Sequence, residues 1–459
     1  MSLLRCCTRA ALTLLTAGLL ATPFTGSATA STTAASADFF QAPTPLPYGK
    51  PGQLIRSLTT SVNLGAGAPA VNATTVLYHS RTATGVDDAV TGTVLQPRAV
   101  WTGSGQRPVV SFAVGTQGLA QACAPSKQLA AGTEYEASNI SLALQQGWDV
   151  EVTDYEGYTT GSTPTYVAGK SEAHTVLDLV RAAAQVPGSD VTTTSPLTIW
   201  GYSQGGGASA WATVLQPSYA SELHLLGDAS GGVPADSRAV NDSLNSNVGA
   251  GFLIYGMIGS AQAFPTQVPL YAHANAAGIS AFALAKTQCT TQSLTTFAGV
   301  DFSSYLNPGE TLNSFQALPG VAQVLSDNSI TFNAALPQVP VLQYHGAVDE
   351  ILPLAQARAL HSTWCAKGVR TQLNLFASDH LTTNAQAAPI AVSFLADRFG
   401  RRPLLVVGLS LYALLAIGCA VAPTFALLLA GRAAMGAAAA ATRVLVTAMV
   451  RDMFEGEAM

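Results

Sequence analysis

Residues 198–209 read T-I-W-G-Y-S-Q-G-G-G-A-S. An apolar run with β-strand character stops at Gly201, and a stretch compatible with a helix begins after Ser203. This order of strand, tight turn and helix around G-x-S-x-G is typical of a nucleophile elbow, in which the serine occupies strained backbone. Glycines two residues before and after the serine avoid collisions with neighbouring elements. The stretch therefore predicts Ser203 as a nucleophile, and the alternative is an ordinary glycine-rich turn.

The sequence before this turn alternates between strand and helix patterns. Buried strands are predicted at residues 109–114 and 148–153, and an amphipathic helix at 171–186 precedes the strand that leads to Ser203. Strands that alternate with helices at this spacing favour a mostly parallel sheet covered on both faces. Together with the nucleophile elbow, the pattern predicts an α/β-hydrolase fold.

That fold places an acid and then a histidine after the serine in the chain. Asp349 follows a strand predicted at 339–344, and His380 lies in the exit loop of a strand predicted at 371–377. We therefore expect His380 to accept the proton of Ser203. We expect Asp349 to orient His380 and to stabilise its imidazolium form.

Three other residues of this region are weaker candidates. Glu350 is the alternative acid, although as the direct neighbour of Asp349 it is expected to point elsewhere. His345 precedes Asp349 in one predicted loop, which is too close for a partner in this order. His361 lies within a helical run, and we expect it at the helix surface.

Two backbone N–H groups are expected to bind the oxyanion that forms when a serine attacks a carbonyl group. Gln204, directly after the nucleophile, is expected to supply one of them. The other is expected from G-T-Q-G at residues 115–118, with Gln117 preferred and Thr116 and Gly118 as alternatives. A simple glycine turn is the other interpretation of this loop.

The composition excludes some classes of protein. The chain has 459 residues, of which 10% are charged, and a formal net charge of −5, so nothing indicates a nucleic-acid partner. Neither C-x-x-C nor H-E-x-x-H occurs, so no metal site is predicted. No organic cofactor is expected either.

The N-terminus and the cysteines indicate export. Two arginines, an apolar run at 10–21 and an A-x-A site predict a secretory signal peptide at residues 1–30. An oxidising compartment permits disulfides. Cys123 and Cys289 are candidates for a bridge, although the sequence alone does not fix the pairing. Cys365 has no obvious partner.

Residues 38–399 resemble the secretory lipases of actinobacteria and the fungal lipase-A enzymes. The matching stretches are D-F-F at 38–40, P-G-Q-L-I-R at 51–56, C-A-P-S at 123–126, A-L-Q-Q-G at 143–147, D-Y-E-G at 154–157, G-Y-S at 201–203, Asp349-Glu350 with Pro353, and H-L-T at 380–382.

This resemblance implies an α/β-hydrolase with a helical cap at about residues 230–318. It also implies hydrolysis of carboxylic esters, including acylglycerols. The site residues that it implies are Ser203, Asp349 and His380 as the catalytic triad, Gln117 and Gln204 as the oxyanion hole, and Cys123 and Cys289 as a disulfide. An apolar stretch at 248–264 is consistent with a cap helix.

The chain beyond residue 399 has a different character. D-R-F-G-R-R-P at 397–403 precedes an uncharged run at 404–430, long enough to span a bilayer, and a second run at 433–450. Residues 396–459 resemble a fragment of a drug-efflux transporter of the major facilitator superfamily. The hypothesis is that residues 400–459 are a chimeric tail of hydrophobic helices, too short to transport a solute.

The sequence therefore predicts a secreted serine ester hydrolase, a lipase or carboxylesterase, whose partner is an ester or lipid substrate. One alternative is an α/β-hydrolase peptidase or acyltransferase, since G-Y-S-Q-G also occurs in those enzymes. Another is an esterase with membrane contact through its tail. Acyl chain length and oligomeric state are not predicted.

Overall fold

The computed structural model describes residues 39–399, 401–420, 424 and 427–436. The predicted signal peptide at residues 1–30 lies outside these ranges, and so does the larger part of the second apolar run at 433–450. The described chain is built around one nine-stranded sheet.

The strands of this sheet are β1 to β9 in chain order. They are β1 Leu54–Thr60, β2 Val71–Arg81, β3 Asp87–Pro97, β4 Val109–Ala113, β5 Asp149–Thr153, β6 Leu197–Tyr202, β7 Leu225–Gly231, β8 Val341–Gly346 and β9 Thr371–Phe376. Their spatial order is β1-β2-β3-β5-β4-β6-β7-β8-β9. The strands β4 to β9 are parallel, as predicted. The antiparallel pairs β1–β2, β2–β3 and β3–β5 at one edge were not predicted.

The α-helices are numbered α1 to α14. They are α1 Pro125–Ala131, α2 Ala137–Gln145, α3 Gly169–Ala183, α4 Gln204–Tyr219, α5 Ser237–Leu244, α6 Ala250–Ala263, α7 Leu270–His273, α8 Ala276–Ala285, α9 Thr290–Phe297, α10 Leu312–Gln316, α11 Pro319–Asp327, α12 Leu354–Ala366, α13 His380–Phe399 and α14 Arg401–Ala420. Short 3-10 helices lie at Gln121–Cys123, Phe302–Tyr305 and Ile330–Phe332.

Helices cover both faces of the sheet. Ser111 of β4 donates to the backbone of α3, and Ser230 of β7 contacts Ser209 of α4, so α3 and α4 share one face. The opposite face is covered by α13 together with α2, and Phe399 of α13 packs its ring on Trp148 there. Because β6, β8 and β9 are parallel, the residues that follow them meet at one edge of the sheet.

The connection between β7 and β8 carries the helices α5 to α11. These helices have their own apolar core, in which Tyr255, Phe282, Phe302 and Phe315 are fully buried. The helical part runs from Ser237 to Phe332, whereas the range expected for a cap was residues 230–318. This insertion is called the cap below.

The uncharged run at 404–430, which was expected to be long enough to span a bilayer, lies only partly within the described residues. The helix α14 ends at Ala420, and residues 427–436 form a separate helical stretch. Within the described part of the chain, no helix is both long enough and apolar enough to cross a membrane. The expected spanning helix is therefore not found in that part.

Candidate active site

Ser203 stands between the end of β6 and the start of α4. Its backbone has φ 59° and ψ −123°, a strained conformation for a residue with a side chain. A β-carbon on Gly201 would lie 2.2 Å from the carbonyl oxygen of Gly205, and one on Gly205 would lie 1.9 Å from that of Ala113. Both positions therefore require glycine, for the reason that the sequence suggested.

The structure brings Ser203, His380 and Asp349 together. His380 Nε2 lies 2.9 Å from Ser203 Oγ, and His380 Nδ1 lies 2.7 Å from Asp349 Oδ2. The other carboxylate oxygen of Asp349 accepts the N–H groups of Ile351 at 2.9 Å and Leu352 at 2.8 Å. Burial opposes the charge on Asp349, but the hydrogen bond and the charge of His380 outweigh it and hold its pKa below the ordinary value.

The backbone of His380 is held as well as its ring. His380 is the first residue of α13, not part of a loop as predicted, and its N–H donates to Glu350 Oε2 at 3.0 Å. Tyr202 donates its hydroxyl to the carbonyl oxygen of His380 at 2.7 Å. The two rings also pack, with centroids 4.9 Å apart. The position of the imidazole is thus fixed from two sides.

The weaker candidates have other places. Glu350 binds the backbone of His380 and not its ring. His345 lies inside β8 and not in a loop, and its Nε2 lies 3.0 Å from the carbonyl oxygen of Leu352. Burial lowers the pKa of His345, so this ring favours the neutral form. His361 lies on α12, as expected, and is half-buried.

The loop after β4, residues 114–118, is buried beside this site. Every one of its carbonyl oxygens accepts a hydrogen bond. The pairs are Tyr155 Oη to Val114, Gln117 Nε2 to Gly115, Thr290 Oγ1 to Thr116, Thr290 N to Gln117 and Tyr158 Oη to Gly118. In contrast, the N–H groups of Thr116, Gln117 and Gly118 have no acceptor among the described residues.

Open donors of this kind are informative because buried backbone N–H groups are almost always paired. Thr116 lines the same cavity as Ser203. The loop can therefore offer N–H groups to a negative charge that develops next to the serine. The N–H of Gln204 likewise has no acceptor in the described part of the chain, as expected for the first residue of a helix.

Buried glutamates hold this loop. Glu136 accepts the N–H of Gly115, and Glu134 Oε1 accepts the side-chain amide of Gln117 at 3.0 Å. Burial raises the pKa of Glu134 to about 7. Burial and the nearby charge of Glu134 raise the pKa of Glu136 to about 8. Asn384, one turn into α13, donates to Glu136 at 2.9 Å and so links the loop to the helix that bears His380.

A third buried glutamate serves the other side of the site. Glu172 Oε1 accepts the side-chain amide of Gln204 at 2.7 Å and the N–H of Val167 at 2.9 Å. Burial raises the pKa of Glu172 to about 7. The side chains of both glutamines predicted for the oxyanion hole are therefore bound by carboxyl groups. These glutamates were not predicted from the sequence, because nothing in their spacing connects them with residues 115–118 or 204.

Two cavities meet at Ser203. The larger, of about 510 Å³, is lined mainly by apolar groups, among them Phe252, Leu294, Ile351 and Leu381. The smaller, of about 60 Å³, extends between Ser203 and the cap helix α6. The site is thus suited to a substrate with an apolar part on each side of the reacting bond.

The disulfide implied by the resemblance is present between Cys123 and Cys289. It joins the segment after the loop at 114–118 to the start of the cap helix α9. Cys365 is free and exposed, and Cys419 is free and half-buried.

Comparisons with known proteins agree with this architecture. The family model "Secretory lipase" matches residues 123–406. Lipase 10 of Candida albicans is 29% identical over 391 residues, which cover 80% of this chain and 81% of that protein. Lipase A of Arthroderma benhamiae is 30% identical over 378 residues, which cover 78% of each chain.

Solved structures share the fold. The X-ray structure of Candida antarctica lipase A in its closed state gives a TM-score of 0.71 at 24% identity and covers 79% of this chain and 85% of that one. A second family model, "Sugar (and other) transporter", matches residues 381–453 and names no drug-efflux protein. The chain belongs to the secretory lipase family and is a carboxylic ester hydrolase.

Proposed function

We propose that the chain cleaves carboxylic esters in two steps through an acyl-enzyme on Ser203. His380 takes the proton from Ser203 Oγ, which attacks the ester carbonyl carbon, and then gives that proton to the leaving alcohol. In the second step His380 takes a proton from water, whose oxygen attacks the acyl carbon. The carboxylic acid leaves as Ser203 Oγ regains its proton. Asp349 stabilises the imidazolium form of His380 in both steps.

The observation that carries this proposal is the continuous hydrogen-bonded line from Ser203 Oγ through His380 to Asp349, with distances of 2.9 and 2.7 Å. We assign the oxyanion hole to the N–H groups of Gln117 and Gln204. Support comes from the open donors at both residues. Gln204 directly follows Ser203, and Thr116, the neighbour of Gln117, lines the same cavity as the serine. Thr116 and Gly118 remain the alternative donors of the loop. Preorganised donors of this kind stabilise the tetrahedral oxyanion without reorganisation.

The substrate class that we propose is an acylglycerol or another ester with an apolar acyl chain. The 510 Å³ cavity falls within the usual range for a small-molecule site, and its lining is mainly apolar. Val248 and Leu381, both lining residues, are 54% and 67% exposed. These exposed apolar side chains at the mouth favour approach to a lipid aggregate.

We further propose that the protein is secreted after removal of residues 1–30, and that residues 400–459 are a chimeric transporter-like tail. The two family matches overlap at residues 381–406, where the junction would lie. Membrane contact through this tail can be tested by cell fractionation with a carbonate wash of the membranes. Recovery of the whole chain in the carbonate-washed membrane pellet would support it, and recovery in the supernatant would contradict it.

The central test is hydrolysis of p-nitrophenyl acetate, octanoate and palmitate by the full mature chain beside Ser203→Ala. We expect activity to fall by a factor of about 10⁴ or more in the variant, because the nucleophile is lost. Folding of both proteins is checked by circular dichroism. Equal activity of the two chains, or none in a folded wild type, would contradict the proposed function.

A further inference from the structure

One residue of the cap binds the loop at residues 114–118, which bears the N–H groups proposed for the oxyanion hole. Thr290, the first residue of α9, donates its hydroxyl to the carbonyl oxygen of Thr116 at 2.5 Å. Its backbone N–H donates to the carbonyl oxygen of Gln117 at 3.0 Å. A single residue thus binds two consecutive carbonyl groups of the loop.

The direction of the loop's N–H groups follows from these two bonds. The carbonyl of Thr116 and the N–H of Gln117 belong to one planar trans peptide, so they point in opposite directions. The same relation holds for the carbonyl of Gln117 and the N–H of Gly118. Because both carbonyls point toward Thr290, both N–H groups point away from it, side by side. Gly118 accommodates this turn with a φ of 124°. Successive N–H groups on one side of a turn can form a concave anion site.

Other contacts keep Thr290 in place. The preceding residue, Cys289, forms the disulfide with Cys123. The N–H of Leu119 donates to the carbonyl oxygen of Gln288 at 3.1 Å, and the hydroxyl of Tyr255 donates to the same oxygen at 2.8 Å. The two residues directly before Thr290 are therefore held by the segment that follows the loop and by the cap helix α6.

We propose that Thr290 is a positioning residue of the oxyanion hole: through its hydroxyl and its N–H it sets the two peptides that carry the N–H group of Gln117 and that of the alternative donor Gly118. This inference rests on the proposed acyl-enzyme function. It makes the catalytic power of the core depend on the cap, since α9 belongs to the cap. Thr290 acts in the chemical step, because the oxyanion exists only in that step.

The experiment compares the full-length wild type with Thr290→Val, Thr290→Ser and Thr295→Val in the hydrolysis of p-nitrophenyl octanoate. Valine has the shape of threonine but lacks the hydroxyl, whereas serine keeps it. Thr295 is an exposed threonine of the same helix, and its hydroxyl bonds only within the helix. Removing an oxyanion donor outright costs roughly 10²–10³ in rate, so we expect its misplacement in Thr290→Val to lower kcat roughly 10- to 100-fold.

Two measurements distinguish a positioning role of Thr290 from simple destabilisation of the fold: the separate effects on kcat and KM, and inhibition by a boronic acid. KM is expected to change less than about threefold in Thr290→Val, because ground-state binding does not use the oxyanion hole. The inhibition constant of a boronic acid, which forms a tetrahedral adduct on the serine, is expected to rise in parallel with the loss of kcat. Thr290→Ser and Thr295→Val are expected to keep kcat within about threefold of the wild type.

If Thr290→Val does not fold, Thr290→Ala replaces it in the comparison with Thr290→Ser, since alanine also lacks the hydroxyl. A folded Thr290→Val with unchanged kcat and unchanged boronate inhibition would overturn the role of Thr290. The proposed function would stand in that case if Ser203→Ala is inactive. A folded wild type that hydrolyses no ester would overturn both.

Discussion

Glu350 Oε2 accepts the backbone N–H of His380 at 3.0 Å, while the neighbouring Asp349 binds the ring of the same histidine. Two adjacent carboxylates thus bind different parts of the same histidine: Asp349 binds the imidazole, and Glu350 binds the main chain at the start of α13. Glu350 was the alternative acid in the sequence analysis. Its place in the structure suggests that it positions His380 without contacting the imidazole.

Glu350→Ala is expected to lower kcat about 3- to 10-fold, because a charge-assisted hydrogen bond worth about 1 kcal/mol is lost from the residue that moves the proton. Glu350→Gln keeps an acceptor and is expected to lose less. Steady-state hydrolysis of p-nitrophenyl octanoate measures both. Val348→Ala, an exposed change in the same loop, serves as the control. An equal loss in the alanine and glutamine variants would show that the acceptor at this position is not what matters.

The disulfide between Cys123 and Cys289 closes a loop with a sequence separation of 166. The double variant Cys123→Ser, Cys289→Ser is expected to lose about 2–5 kcal/mol in the free energy of unfolding, because the unfolded chain regains conformational freedom. Its kcat is also expected to fall, since Thr290 follows Cys289 directly.

Urea unfolding and ester hydrolysis measure the two effects of the disulfide variant. Cys365→Ser, which changes a free exposed thiol, is the matched control and is expected to leave both unchanged. An undiminished free energy of unfolding in the double variant would show that the bridge does not stabilise the fold.

Glu151 on β5 should make the chain less stable in alkali. Neither of its carboxylate oxygens has a hydrogen-bond partner in the described part of the chain. Burial, and then the charge of Asp149, raises its pKa well above the ordinary value. Burial also raises the pKa of Asp149 to about 8. The folded state therefore keeps these protons while the unfolded chain releases them. The resulting stability is complete below the unfolded pKa of about 4 and is lost as pH rises to about 8 and above.

We expect the wild-type chain to unfold at a lower temperature at about pH 9 than at about pH 5. Glu151→Gln is expected to raise the midpoint temperature by a few degrees at pH 9 but by little at pH 5. Calorimetry at both pH values measures this difference. Glu222→Gln is the control: burial opposes its charge, but the hydrogen bond from Arg181 lowers its pKa, so no alkaline gain is expected. An identical gain at both pH values would rule out titration of Glu151 as the cause.

Gly256 on α6 faces the smaller cavity beside Ser203. A β-carbon there would find its nearest heavy atom, Val167 Cγ2, at 3.8 Å, so there is room for a side chain that fills the cavity. If an acyl chain uses this space, Gly256→Leu should lower the ratio of octanoate to acetate hydrolysis roughly tenfold, since each excluded methylene is worth about 1–3 kcal/mol.

Gly256→Ala is the matched control, because its methyl group fits without contact below 3.8 Å and leaves most of the cavity open. Its ratio of octanoate to acetate hydrolysis is expected to fall less than that of the leucine variant. Unchanged ratios in both variants would place the acyl chain in the larger cavity.

The fold could be predicted from the sequence because the pattern of the nucleophile elbow has a direct steric cause. Gly201 and Gly205 are required by backbone contacts that any such turn creates, so a short stretch identified the α/β-hydrolase. Asp349 and His380 could be chosen because parallel strands place the residues after them at one edge. The antiparallel strands β1 to β3 were not predicted. The prediction relied on strands that alternate with helices, and this region contains no helix between its strands.

The supporting residues of the site could not be predicted in the same way. Glu134, Glu172 and Thr290 act through partners that are not adjacent in sequence. Thr290 and its partner Thr116, for example, are 174 positions apart. A glutamate in an apolar stretch can be a buried acceptor or a surface charge, and only tertiary packing decides. The prediction that His345 lies in a loop was wrong, because β8 extends past Tyr344 to Gly346.

Ser203 and His380 are separated by 177 positions along the chain. During synthesis Ser203 leaves the ribosome long before His380, its proposed base, and β8 and β9 must join the sheet before the two residues can meet. Domains form as units while translation proceeds, so a nascent or prematurely ended chain exposes a serine that has no means of losing its proton. Under the proposed mechanism, a product that ends before His380 lacks the base, so ester hydrolysis can begin only after the residues through His380 have been translated and have folded.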